Sequence, residues 1–252
     1  MNKGRLFIST LILFCSVFSI SAYAQFEGQI SMNLYSQDNG ETEINKLNLY
    51  ATADRILIKG EEHFDVMSQI ETDGILIRND RKDFVIMTSK DQALQVTKVE
   101  IEGLVDMMAS WSGNSSDDKP TRKTKYSFSD RTQNIMGYKT AEFIVEDVEE
   151  PGKHLSIWLT NDIDVNWGML GERWNKLPAK IDAEVNGMAQ EIIFKGKNFP
   201  LKIEAVDNGK RTTIMDVTNV NRSSVARAMV EVPSGVSLMS FKDFVFQMMM
   251  QQ

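Results

Sequence analysis

Alternation of apolar and polar side chains is the feature that most constrains how this chain folds. From residue 26 to residue 34, apolar residues or glycine occupy every second position and polar residues occupy the positions between them. A period of two is typical of a β-strand with one buried side and one solvent-facing side. Asp38-Asn39-Gly40 follows, and Asn-Gly is favoured in the tight turn of a β-hairpin.

Similar runs recur along the rest of the chain, separated by short polar spacers. They lie at Lys46 to Ala51, Arg55 to Lys59, His63 to Ile70, Ile75 to Arg78, Phe84 to Thr88, Tyr126 to Phe128, Tyr138 to Val145, Leu155 to Thr160, Glu191 to Lys195, Leu201 to Val206 and Arg211 to Val220. Asp73-Gly74 and Asn208-Gly209 are expected to form tight turns. Strands this closely spaced pair antiparallel, so the sequence predicts a mainly β fold with one dry and one wet face.

Three segments instead show helical spacing. Thr97 and Glu100 form a capping box ahead of apolar residues that continue to Trp111. A second pattern runs from Trp167 to Ile181, where Pro178 is expected to end or kink the helix. Ser240 can cap a third helix that carries Phe241 and Phe244 on one side. We expect these few helices to cover the concave face of a curved sheet.

The first 24 residues predict a secretory signal peptide. Lys3 and Arg5 precede an apolar run, and Ala22-Tyr23-Ala24 supplies the small residues of a cleavage site. The apolar run is shorter than the about 20 residues that a membrane-spanning helix needs. Cleavage after Ala24 leaves residues 25–252, which we expect to form a single periplasmic or secreted domain without a transmembrane helix.

Composition after cleavage excludes several classes of protein. The only cysteine, Cys15, is lost, so neither a disulfide framework nor a cysteine nucleophile is available. Loss of Lys3 and Arg5 takes the formal net charge from −7 to −9. Such an acidic chain lacks the basic surface that nucleic-acid binding requires.

No catalytic, metal or cofactor motif is present. His63 and His154 are the only histidines, and neither has a partner at metal-ligand spacing. Signatures of metalloproteases, serine hydrolases and nucleotide-binding proteins are absent. An acid–base pair of two carboxylates, as in glycosidases, remains an alternative, because such residues need to be close only in the folded protein. The sequence therefore predicts a non-enzymatic protein with no catalytic residues, no metal site and no cofactor.

Methionine is unusually frequent, with 15 residues that include Met107-Met108 and Met248-Met249-Met250. Thioethers are soft ligands for reduced copper, so a methionine-based copper binder is one alternative. Because the methionines follow helical spacing beside aromatic residues, we favour a packing role on adaptable apolar surfaces.

A curved sheet with helices across its concave face can also enclose a cavity wide enough for an acyl chain. The predicted lining consists of apolar side chains on the strand runs. These residues are Met32, Leu34, Leu57, Phe84, Ile86, Phe143, Trp158 and Phe194.

Five motifs in order along the mature chain resemble a known family. They are Phe26-Glu27-Gly28, Ile135 to Ala141, Ile157 to Thr160, Asn198 to Leu201 and Val230 to Gly235. This set is similar to the secreted bacterial family named domain of unknown function 4412. That family resembles the periplasmic LolA and LolB lipoprotein carriers, and the likeness implies a half-open, curved antiparallel β-barrel closed by helices over a hydrophobic cavity. It implies no catalytic residues, and fold alone does not establish function.

Together these observations predict a non-enzymatic envelope protein that binds a hydrophobic ligand, such as a lipid or an acylated protein. The first alternative is an interaction or stress-sensing module with an envelope protein as its partner. Copper binding through methionine is the second alternative.

Overall fold

A computed structural model describes residues 25–38, 41–66, 70–103, 124–148, 150–174 and 190–250. Twelve β-strands in this part of the chain form one sheet. The strands are β1 (Gly28–Asp38), β2 (Glu41–Ala51), β3 (Arg55–Val66), β4 (Ile70–Arg78), β5 (Asp83–Met87), β6 (Gln92–Thr97), β7 (Thr124–Ile135), β8 (Tyr138–Asp147), β9 (Lys153–Thr160), β10 (Phe199–Asp207), β11 (Lys210–Arg222) and β12 (Ser237–Ser240).

Two meanders build this sheet. Strands β1 to β6 follow one another in space, as do β7 to β11, and the two series join where β1 pairs with β11. Every neighbouring pair is antiparallel except β12, which runs parallel to β6. The order ends at β12 on one side and at β7 on the other, so the sheet does not close within the described residues. The predicted fold class, a mainly β half-open sheet, is confirmed.

The main hydrophobic core lies on one face of the sheet, which we call the concave face, and we call the opposite face the convex face. It joins side chains from the first meander, such as Ile30 and Leu49, to Leu201 and Met215 from the second. Residues 163–174 run across this face, and Met169 at their centre is 3% exposed. A 3-10 turn at Gly168–Gly171 is the regular part of this segment. We predicted a helix from Trp167 to Ile181. Up to residue 174 the structure shows one 3-10 turn in its place, and residues 175–181 lie outside the described part of the chain.

The convex face of the first meander has its own cover. Residues 223–236, which we call the strap, include the 3-10 turn Arg227–Val230. Val230 in the strap packs on Leu57, Leu76, Val85 and Ala93 of the sheet. This second apolar layer explains why β3 to β5 carry nearly continuous apolar runs, since strands buried on both faces need no alternation.

Both predicted helix caps are present. The Thr97 backbone N–H donates to Glu100 Oε2 (2.7 Å), and the Glu100 N–H donates to Thr97 Oγ1 (3.3 Å). The helix that follows is described over residues 98–103. At the other end of the chain, Ser240 Oγ accepts the Asp243 N–H (3.2 Å) and caps the helix Phe241–Met250. Phe241 and Phe244 of that helix pack on the concave side of β5 and β6.

Two local predictions are wrong. Asp73-Gly74 is not a turn: Gly74 lies inside β4, where an added Cβ would come within 2.8 Å of the Ile58 carbonyl oxygen. A glycine is needed at this position because the backbones of β3 and β4 approach each other closely. Glu191 to Lys195 is not a strand either, because residues 190–194 form a π-type turn in which the Lys195 N–H donates to Gln190 O (2.9 Å). Asn208-Gly209 does form the predicted turn, with positive φ at both residues.

Candidate functional site

The structure places six of the eight predicted lining residues on the concave face. Met32, Leu34 and Phe84 belong to the main core cluster or pack against it. Ile86 lies in the cluster beneath the C-terminal helix. Phe143 lies further along the sheet with Ile157 and Leu159. Phe194 comes from the π-type turn and meets Trp167 edge-on at 5.5 Å between ring centroids. These six share one face without forming a single cluster.

Leu57 and Trp158 lie on the other face of the sheet. Leu57 is buried beneath the strap. The Trp158 indole Nε1–H donates to Glu204 Oε2 at 3.0 Å, among charged groups on the convex side. Neither residue shares a surface with the other six, so we leave both out of the candidate site.

An exposed apolar surface on β7, β8 and β9 is the most distinctive part of the concave face. Two cross-strand rows build it: one row joins Tyr126, Val145 and Leu155, and the next joins Phe128, Phe143 and Ile157. We call the surface formed by Tyr126, Phe128, Phe143, Val145 and Leu155 the aromatic wing. The Phe143 ring lies 6.0 Å from Tyr126 and 5.0 Å from Phe128, centroid to centroid.

The aromatic wing differs from the rest of the face in its exposure. Phe143 is 2% exposed, but Tyr126 is 49% and Phe128 is 52% exposed. Both lie on β7, which ends the sheet within the described residues. Contiguous exposed aromatic surface is typical of a ligand or partner site. The alternation Tyr126-Ser127-Phe128 in the sequence already indicated one apolar side of this strand, but its exposure depends on β7 being an edge.

A cleft of about 440 Å³ opens where residues 163–172 meet the π-type turn. Trp167 and Phe194 form its aromatic wall, and Trp167 also stacks on Phe199 at 6.1 Å. Polar groups line the rest of the cleft, including Asp164, whose carboxylate pairs with Lys197 (2.7 Å). The predicted lining residue Phe194 therefore borders a cleft whose walls are partly polar and partly aromatic.

Behind the aromatic wing, the convex face carries a network of charged groups around two buried carboxylates, which we call the charged network. Glu142 on β8 is its centre, with 1% of its side chain exposed. Its Oε1 accepts hydrogen bonds from Arg131 Nη1 (3.0 Å), Arg211 Nη2 (3.2 Å) and Ser156 Oγ (2.5 Å). Its Oε2 accepts one from Ser129 Oγ (2.8 Å).

Glu204 on β10 extends the charged network. Its Oε2 accepts hydrogen bonds from Trp158 Nε1 (3.0 Å) and Arg211 Nη1 (2.9 Å), and its Oε1 accepts one from Lys202 Nζ (2.8 Å). The network thus joins side chains from β7, β8, β9, β10 and β11. Arg211 on β11 reaches past β10 to Ser156 on β9 and to Glu142 on β8, so the whole set requires one register of all these strands.

Hydrogen bonding keeps both carboxylates ionised. Burial raises the pKa of Glu204, but the hydrogen bonds from Lys202, Trp158 and Arg211 outweigh it and bring the pKa to about 2. For Glu142, burial likewise opposes ionisation, and the hydrogen bonds from Ser156, Ser129 and Arg211 hold the pKa below its ordinary value. A carboxylate with a lowered pKa is a poor proton donor or acceptor at neutral pH, so this pair is suited to structure rather than to acid–base chemistry.

The described residues contain no group of three or more His, Cys, Asp or Glu side chains that could hold a metal ion. His63 pairs with Asp73 through Nδ1 (2.7 Å), with both side chains well exposed. Met169 and Met215 are buried in the main core, as the packing interpretation predicts. Met107 and Met108 lie outside the described residues. Nor does this part of the chain hold a helix long and apolar enough to span a membrane.

Fold and site together define a half-open β-sheet domain with an apolar concave face. The chain belongs to the family described as Domain of unknown function (DUF4412), whose profile matches residues 26–236. This match confirms the resemblance carried by the five sequence motifs. A search of curated protein sequences found no match.

Several solved structures are weakly similar. PNGF-II matches at 12% identity and a TM-score of 0.45, covering 89% of this chain and 33% of that chain. A chain of the Pseudomonas aeruginosa MucA/MucB complex matches at 9% identity and 0.40, covering 87% of this chain and 60% of that chain. A LolA superfamily protein from Nitrosomonas europaea matches at 9% identity and 0.30, covering 83% and 91%. The chain thus spans about a third of the length of PNGF-II. We draw no functional conclusion from similarities this weak.

Proposed function

We propose that the mature protein is a non-enzymatic binding protein of the bacterial envelope that holds an acyl chain, of a lipid or of an acylated protein, against the aromatic wing. The observation that carries this proposal is the exposure of Tyr126 and Phe128 on the same face as the hydrophobic core. The envelope location rests on the predicted signal peptide.

Covering the aromatic wing would be favourable. An aromatic side chain buries about 150–250 Å², so hiding the exposed half of two rings removes roughly 200 Å² from water. At about 25 cal/mol per Å², this contributes on the order of 5 kcal/mol before the costs of ordering the ligand. An acyl chain suits the surface, because the Tyr126 hydroxyl is the only hydrogen-bonding side-chain group in the two rows.

The experiment combines native mass spectrometry with a fluorescent probe. Protein purified from the periplasm without detergent should carry an acyl or lipid adduct. The uncharged probe Nile red should bind the ligand-stripped protein, and Phe128→Asp should weaken that binding at least tenfold. Ile44→Asp is the matched control, since Ile44 is 51% exposed on β2. Equal effects of the two substitutions, or no binding of Nile red, would reject the proposal.

A protein partner is the second candidate, and the twelve-residue edge strand β7 favours it. An extended segment of another protein can add to such an edge through backbone hydrogen bonds, with its side chains resting on Tyr126 and Phe128. A photoreactive amino acid at position 128 would then form one defined protein conjugate in living cells, whereas the same group at position 44 would form none. Conjugation to lipid alone at position 128 would favour the first candidate.

A further inference from the structure

A second cavity lies on the convex face, under the strap. It has a volume of about 270 Å³. Its floor is formed by Leu57 and Met87 from the sheet, and its walls by Met229, Pro233 and Val236 from the strap. The floor is apolar because this part of the sheet is buried on both faces.

Two lysines border this cavity, Lys59 on β3 and Lys90 in the turn after β5. Among the described residues, neither ammonium group has a hydrogen bond or an ion pair. The acidic groups at the same cavity are already engaged: Asp73 pairs with His63, and Glu231 pairs with Arg55 and Arg227. The rim of an apolar pocket therefore carries two ammonium groups that form no ion pair within the described residues, beside an Asp73 carboxylate that contacts His63 instead.

We propose that this cavity, which we call the strap pocket, binds a small anionic amphiphile, namely a carboxylate attached to an apolar chain of about eight carbons. The chain fills the apolar space over Leu57 and Met87, and the carboxylate faces Lys59 and Lys90. Charge-assisted hydrogen bonds to lysine orient the ligand, while burial of the chain supplies most of the affinity. The strap pocket lies on the face opposite the aromatic wing, so this inference does not depend on the proposed function.

The size of the strap pocket separates it from the concave site. A volume of about 270 Å³ lies just below the range of about 300–1,000 Å³ typical of sites for drug-sized ligands. A long acyl chain does not fit, whereas a medium-length chain does. The exposed side chain of Met229 forms a flexible wall that can adapt to the chain.

Octanoate and octylammonium are the two probes, because they share the apolar chain and differ in the sign of the charge. Titrated at neutral pH into the mature protein and followed by amide chemical shifts, octanoate should move the signals of Gly74 and Met87 and bind at least tenfold more tightly than octylammonium. The double variant Lys59→Gln/Lys90→Gln should weaken octanoate binding about tenfold. The matched control is Lys139→Gln/Lys210→Gln, in two exposed hairpins elsewhere.

A variant that fills the strap pocket gives a second test, which holds even if the lysine substitutions disturb folding. Ala228→Trp should occupy the strap pocket and abolish octanoate binding while leaving the urea midpoint and the binding of Nile red unchanged. Equal affinities for octanoate and octylammonium, insensitivity to the lysine substitutions, or shifts confined to the concave face would each overturn the inference.

Discussion

On the convex side of β3 to β6, apolar side chains lie under the strap, whereas on the convex side of β7 to β11 charged side chains pack between the strands themselves. The first region buries Leu76 and Val85 beneath Val230. The second buries Glu142 at 1% side-chain exposure with every oxygen hydrogen-bonded. The first region also buries the Arg78–Asp83 ion pair (2.6 Å), so the two regions differ in what covers the convex face, the strap in one and the charged network in the other.

The different cover of the two convex regions affects how exposed the concave side of the sheet can be. A strap can hold only the strands that it crosses, so β7 to β9 need another source of rigidity. The charged network on the convex side supplies this rigidity, because its hydrogen bonds and ion pairs link side chains of five strands in one register. Tyr126 and Phe128 on the concave side of those strands can then stay about half exposed.

The largest expected effect comes from removing the centre of the charged network. Glu142→Ala should lower the free energy of unfolding by about 3 kcal/mol, because it leaves the buried Ser156 hydroxyl without its acceptor and Arg211, which is 31% exposed, without one of its carboxylates. Urea denaturation measures this, with Glu146→Ala, an exposed residue on the same side of β8, as the control that changes stability by less than about 0.5 kcal/mol. A cost for Glu142→Ala equal to that of the control would show that the network does not hold the second region together.

Acid should destabilise the second region through Glu204. The pKa of Glu204 is lowered from 4.5 to about 2, so its contribution to stability is fully present above pH 4.5 and is lost as the pH falls towards 2. That contribution amounts to at most about 3 kcal/mol. Stability measured between pH 6 and pH 2 should fall less steeply in Glu204→Gln than in the wild type. Parallel curves would contradict the assignment of this pKa.

Arg55 anchors the strap and gives a corresponding test of the first region. Its guanidinium, with 4% of the side chain exposed, pairs with Asp80 and Glu231 and donates to Val230 O. Arg55→Met should cost roughly 2 kcal/mol, since the two carboxylates it leaves are partly hydrated. Arg227→Met, which removes an exposed pair with the same Glu231, should cost less than about 0.5 kcal/mol. Similar costs for the two variants would mean that Arg55 does not secure the strap.

The smallest effect on stability is expected within the aromatic wing itself. Phe128→Ala should cost less than about 1 kcal/mol, because the ring is already half exposed. Phe143→Ala, in the same cross-strand row, should cost about 3–5 kcal/mol. Thermal or urea denaturation distinguishes the two. A large cost for Phe128→Ala would mean that this residue serves folding rather than ligand binding.

Much of the fold could be predicted from the sequence, because alternation and turn residues are local signals. The capping boundaries at Thr97 and Ser240 and the turn at Asn208-Gly209 are of this kind. The turn predicted at Asp73-Gly74 was wrong, because a glycine needed for the close approach of two strands looks the same in sequence as one needed for a turn. The adjacent apolar residues Ile192 and Ile193 lie in the run Glu191 to Lys195 that we predicted as a strand, and the structure places both in a π-type turn.

The candidate site was harder to predict. Leu57 and Trp158 each stand between two apolar neighbours, so alternation cannot assign them to a face, and only strand register does. The charged network could not be seen in the sequence at all, since Glu142 and Arg211 are brought together by strands far apart in the chain. Exposure of Tyr126 and Phe128 likewise depends on which strand ends the sheet.

Photochemical labelling with an uncharged ligand tests the central claim most directly. The mature protein would be irradiated with a C16 fatty alcohol that carries a diazirine near its end, and the labelled peptides would be mapped by mass spectrometry. We predict labelling concentrated between residues 124 and 160, on β7 to β9, and greatly reduced in Phe128→Asp. Labelling spread evenly over the sheet, or confined to the strap, would contradict a ligand site on the aromatic wing.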